Sequence, residues 1–149
     1  VASHYGTTAE ATIYFGERLN TIPWDNAIPG DRVKALYMAT RAIDKLNIAG
    51  EKLDDDQELQ FPRVGDSVVP TDIKLACFEC AFAFLDGVDM ELEQKNLGMT
   101  SDAFSGARTT YDSYFVEEHI RAGIPSSEAW AYLYPYLRDP RELIISRVP

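Results

Sequence analysis

The sequence is poor in the residues that most often carry chemistry. Its 149 residues include only two cysteines, Cys77 and Cys80, and two histidines, His4 and His119. A structural zinc site needs four such ligands brought together, and each histidine stands alone in sequence, so no metal is expected. A thioredoxin-like use of the C-x-x-C pair would want a preceding strand and an exposed helix N-terminus. The pair sits instead among Phe78, Ala81 and Phe82, where both cysteines read as small core residues kept as reduced thiols. Long apolar runs are missing too. The best, Ile73 to Leu85, is interrupted by Lys74 and Glu79 and falls short of the roughly 20 residues a membrane span requires. Val1 to Thr8 has no basic stretch followed by an apolar one, so no secretory leader is expected and the chain reads as made and used in the cytoplasm. No G-x-S-x-G elbow, P-loop, G-x-G-x-x-G or H-E-x-x-H occurs, which removes the commonest signatures of nucleophilic, nucleotide and metalloprotease chemistry. The 24 acids allow so many carboxylate pairs that no single pair carries weight. No catalytic residue, cofactor or metal is expected, and the chain is not read as an enzyme.

What is present is an ordinary globular composition, 46% hydrophobic and 26% charged, at the size of one domain. The net charge is −10 and the pI near 4.6. Nucleic-acid backbones are normally held by a basic surface, because affinity comes from neutralising phosphates and releasing counterions. An acidic body suits a surface that DNA slides past. The charge is uneven: from Arg138 to Pro149 three Arg stand against Asp139 and Glu142, a net of +1, so the other residues carry −11. We therefore divide the chain into a helical domain over 1–137 and an extended tail over 138–149.

The patterning predicts a mainly α fold, a small bundle of about four helices with long loops. Thr7 with Glu10 is a capping-box pair opening a helix to Leu19, whose apolar side would be Ile13, Tyr14 and Leu19. Asn20 to Gly30 reads as a loop anchored by Trp24. Asp31 is placed to cap a helix to about Asn47, with Val33, Leu36, Tyr37, Thr40 and Ile43 on one face. Glu51 to Glu58 holds five acids and one Lys, a solvated loop in which Asp54, Asp55 and Asp56 are the candidates to face a channel. Phe61, beside Pro62, should tuck inward. Pro70 opens a helix to Leu85 that is apolar nearly all round, which predicts either a central position or half-coverage by a neighbouring subunit at Phe78 and Phe82. Asp86 to Gly98 reads as a helix end and loop, and Met99 to Thr110 as a long loop or weak extended segment. A last helix starts at Pro125 to Ser127, carries Trp130, Leu133, Tyr134 and Leu137, and should end early at Pro135. Glu142 to Val148 alternates with β-branched residues, as a strand that pairs with another chain would.

Tyr37, Arg41 and Lys45, with Phe61 and Arg63, are the nearest approach to an aromatic and basic single-strand groove. The same aromatics fit the core rhythm, and Arg41 and Arg63 suit pairing with acids of a neighbouring subunit.

Trp24, Lys34-Ala35-Leu36, Ala39-Thr40-Arg41-Ala42-Ile43-Asp44, Gly50, Leu59-Gln60-Phe61-Pro62-Arg63, then Val69-Pro70, Ile73-Lys74, Ala76 and Glu79 form a pattern. It resembles a family of small tailed-phage proteins described as head–tail connector (adaptor) proteins or as DnaT-like single-stranded-DNA-binding proteins. Ala129-Trp130, Leu133 and Pro135-Tyr136-Leu137 extend the likeness, whereas Leu97 to Tyr111 lacks the clear alternating strand it implies. The resemblance implies a subunit of a ring, usually twelve-fold, in the neck of the virion, assembled in the host cytoplasm. Its partners would be copies of itself, the portal protein, the next neck or tail protein, and double-stranded DNA passing without sequence recognition. No membrane is involved. The portal would be met by the tail, through Arg138, Arg141, Glu142, Leu143, Ile144, Ile145, Arg147 and Val148. The alternatives are a single-strand binder and a tail-completion protein.

Overall fold

The computed structural model describes residues 4–97, 101–104, 107–110 and 118–139, the two short segments 101–104 and 107–110 by their backbone. The fold is mainly helical. Its axis is the helix Thr71–Leu85, α4 in chain order, preceded by Pro70 in extended conformation at the N-cap. Proline is tolerated there because the helix makes no demand on that backbone N–H. Ile73, Ala76, Cys77, Phe78, Cys80 and Ala81 are all buried. They are covered mainly by α3 (Pro29–Asp44) and α7 (Ser127–Leu133), with α1 (Thr8–Gly16) and α2 (Ile22–Asp25) closing the remaining side. The chain thus surrounds its own most apolar helix, and the neighbouring subunit invoked to cover it is not needed. Phe78 in particular is only 2% exposed, packed by Tyr14 at 6.0 Å between ring centres, so it cannot serve as an interface residue. Phe82 is half-buried against Phe15.

The first helix bears out its capping box: Glu10 N–H donates to Thr7 Oγ1 at 3.1 Å, and Thr7 N–H donates to Glu10 Oε2 at 2.8 Å. Of its expected inner face only Tyr14 packs inward, against Phe78 and Glu79. Ile13 and Leu19 are 70% and 84% exposed, and Ala11 and Phe15 point inward instead. The helix α3 begins at Pro29, two residues before the expected Asp31, and Ile28 at its N-cap makes no side-chain cap. Proline at N1 supplies the start, since its fixed φ is already helical and its missing N–H would have had no partner. Its buried face is as expected at Leu36, Thr40 and Ile43, widened by Ala35 and Ala39.

Beyond α4 the structure is richer than the reading. The segment taken as a loop contains α5, Met90–Leu97, started by the Asp89 carboxylate accepting the Glu91 and Leu92 N–H groups. The expected weak extended segment is an antiparallel hairpin, β1 (Ser101–Phe104) with β2 (Ala107–Thr110), in register Ser101 to Thr110. A short α6, Glu118–Arg121, follows. The Ser126 side chain caps α7, and Pro135 turns its end into a 3-10 turn, Tyr134–Tyr136. The chain then returns to the end of α3: Ile48 bridges Leu137, Ala49 N–H donates to the Tyr136 carbonyl, and Arg138 N–H to the Asn47 carbonyl. Of the tail only Arg138 and Asp139 are described; Arg141, Glu142, Leu143, Ile144, Ile145, Arg147 and Val148 lie outside the described residues.

Candidate functional site

Most of the residues that carry the family likeness do structural work. Trp24 is fully buried, packed on Phe15 at 5.0 Å and covered by the Arg32 guanidinium at 5.2 Å, with its indole N–H donating to Thr12 Oγ1. Phe61 is buried beside a cis Pro62 and is held by a residue the sequence did not single out. Tyr5 accepts the Phe61 N–H at its hydroxyl oxygen, donates that hydroxyl to Asp44, and donates its own backbone N–H to Thr40 Oγ1. Arg63 donates to the carbonyls of Ile48, Ala49 and Gly50 and to the Gln60 side chain. Its guanidinium is spent on clamping the chain after α3, which removes it as an interface or groove arginine.

The buried polar residues Thr40 and Glu79 are both accounted for internally, Thr40 by the Tyr5 N–H. Glu79, 2% exposed, accepts from Arg18 at 2.6 Å and 2.7 Å and from the Tyr14 hydroxyl at 2.5 Å. The Arg18 guanidinium lies 4.6 Å over the Phe82 ring. Among the described residues, no buried side-chain nitrogen or oxygen lacks a partner, and no three metal-ligating side chains cluster. His4 packs edge-on against Tyr37 and bonds to the Gly6 carbonyl, and His119 lies on α6 against the Ile124 carbonyl.

The two thiols are buried. Burial pushes Cys77 up from 9.0 to about 12, partly offset by its contact with Thr40, and burial likewise raises Cys80. The native protein at pH 7 is expected to resist alkylation at both, while the denatured chain titrates two thiols; fast modification of the native form would contradict this. The linkage runs one way. The unfolded thiol ionises above 9.0 while folded Cys77 does not until about 12, so its contribution is intact below pH 9 and lost as pH climbs through that window.

An account of the cations isolates a different region. Arg18 holds Glu79, Lys34 holds Asp31, Lys74 holds Glu10 and Lys95 holds Glu91. Arg32, Lys52 and Arg63 are bonded to carbonyls. Among the described residues, Arg41, Lys45, Arg121 and Arg138 are the cations with no side-chain hydrogen bond or ion pair. All four line two adjoining grooves. Arg41 and Lys45, one turn apart on α3, flank a groove floored by Met38, Phe84 and Met90. Arg121 and Arg138 flank a larger one, about 650 Å³, with Trp130 and Tyr134 in its wall and Glu118 and Asp139 at its rim. Ala122 belongs to both. Four cations against two acids leave the double groove at +2 on a chain of −10.

Of the residues singled out from the sequence, Arg41, Lys45 and Arg138 fall in this double groove, and Tyr37, Phe61, Arg63, Phe78 and Phe82 do not. Asp54, Asp55 and Asp56 are exposed in the loop after α3. Arg121, Lys45 and the wall aromatics come together only through the packing of α3, α6 and α7. The family model described as "Putative DnaT-like ssDNA binding protein" matches residues 2–137. The chain belongs to this family. Neither a curated protein nor a solved structure matches it. For this DnaT-like chain, the match spans every described element of the fold and stops at Leu137, which bridges Ile48 in the segment just after α3.

Proposed function

We propose that this DnaT-like chain is a non-enzymatic head–tail connector subunit, forming a ring beneath the portal that joins capsid to tail. The observation that carries the reading is that the domain presents unpaired charge of both signs at different places. The double groove holds four cations without partners, and the loop 51–58 holds five acids that enter no ion pair among the described residues. A closed ring requires two different faces on each subunit that fit one another. A body of net −10 also suits a channel through which DNA passes without sticking. Residues 138–149, through Arg138, Arg141 and Arg147, are proposed to attach the ring to the portal. Electron microscopy of the purified protein, alone and mixed with portal protein, is expected to show closed rings. A chain that stays monomeric with portal present overturns the reading.

A second reading, single-stranded-DNA binding, is favoured by one observation. Trp130 and the 61% exposed Tyr134 stand beside Arg121 and Arg138, and exposed aromatics interleaved with arginines can stack bases. A salt titration of oligothymidine binding separates the two, since phosphate neutralisation gives a steep loss of affinity with salt.

A further inference from the structure

We infer that the double groove on one subunit takes the acidic loop 51–58 of the next copy, so that this contact closes the ring; the inference rests on the connector reading and names its interface. The charges match in kind: Arg41, Lys45 and Arg121, with Arg138 left to the tail, against Glu51, Asp54, Asp55, Asp56 and Glu58. Neither set enters an ion pair within its own chain among the described residues. The apolar chemistry matches as well. Leu53, 48% exposed, stands among the acids, and the Arg41–Lys45 groove has an apolar floor of Met38, Phe84 and Met90. A buried anchor at the centre of a contact, ringed by residues that exclude water, is where interface energy concentrates.

The loop is also held in shape before it binds. Asp56 N–H donates to Asp54 Oδ1, Asp54 N–H to Gln57 Oε1, and the Gln57 amide nitrogen to the carbonyls of Leu59 and Pro62. Lys52 adds a bond to the Gln57 carbonyl, and Lys52 and Arg63 form a backbone bridge. A preformed loop loses little freedom on docking, which raises affinity for a given contact.

The test uses two charge-reversed forms of the full chain, both altered only at exposed positions. One carries Asp54→Lys, Asp55→Lys and Asp56→Lys; the other carries Arg41→Glu and Lys45→Glu. Each alone presents like charges across the contact and is expected to associate at least about a hundredfold more weakly than the wild type. Mixed in equal amounts, each supplies the face the other needs, and rings that alternate the two forms are expected to return. Circular dichroism checks that both are folded. Rings formed by either form alone as readily as by the wild type overturn the inference and leave the connector reading standing, as does failure of two folded forms to assemble on mixing. Absence of rings from the wild type with portal present overturns the connector reading itself. Loss of oligothymidine binding in the Arg41→Glu, Lys45→Glu form, with assembly unchanged, assigns the groove to single-stranded DNA and overturns the inference.

Discussion

Replacing Trp24 by Ala is expected to lower the unfolding free energy by about 3–5 kcal/mol, the usual effect of emptying a large aromatic site in a core. The indole is wholly buried between Phe15 and the Arg32 guanidinium, and α2, only four residues long, has little else to hold it down. For a domain whose total stability is about 5–15 kcal/mol, that is a large share. Thermal or urea denaturation reads it directly, and the midpoint should fall by about 10 °C or more. Trp24→Phe should recover much of the loss by refilling the site. A ligand-stacking tryptophan would behave otherwise, losing binding with stability untouched, and that result would remove Trp24 from the core.

The second large effect is at Arg18. Arg18→Ala strands the Glu79 carboxylate in the core with one remaining partner, Tyr14, and removes the cation stacked on Phe82. Breaking one half of a buried pair is costly because the charge left behind has already lost its water; with the Arg18 side chain 31% exposed, we expect about 2–4 kcal/mol. Replacing both partners, Arg18→Met with Glu79→Leu, should restore most of it, since the pair contributes little beyond cancelling its own desolvation. A double-mutant cycle by urea denaturation measures the coupling. A double variant as unstable as Arg18→Ala would show that the network carries stability of its own.

The parts of this fold that were legible in the sequence are those where one periodicity has one solution. The spacing of Leu36, Thr40 and Ile43 admits a single inner face, and Pro135 beside an apolar stripe can only end a helix early. On α1, by contrast, Ile13 and Phe15 lie on different sides and compete for the core; the larger ring won because Trp24 and Phe82 offered it a matched site. On α4 an all-apolar surface carries no directional information, so Phe78 was assigned outward when Tyr14 in fact covers it. The start of α5 had a readable signal in Asp89, a residue type that caps helices, set before an acidic first turn. Of the double groove only the pair Arg41 and Lys45, one helical turn apart, was legible. Arg41 and Lys45 precede Arg121 by more than seventy positions, and their common property, having no ion-pair partner among the described residues, is visible only once the other described cations have been assigned theirs.

The return of the chain to α3 bears on how force would travel through the molecule. The segment Asn47–Ala49 meets Tyr136–Arg138 through backbone groups, with Ile48 and Leu137 facing as a bridge. A pull on the chain beyond Asp139 therefore enters the body at the segment just after α3, the longest described helix, as well as along α7. Peptide groups and the packed side chains of Ile48, Tyr136 and Leu137 make the joint, while Asn47 and Ala49 beside them are exposed and carry none of its packing. A linkage built that way can bear tension while its surface is free to change, so the residues that choose a partner and the bonds that hold against it are kept separate.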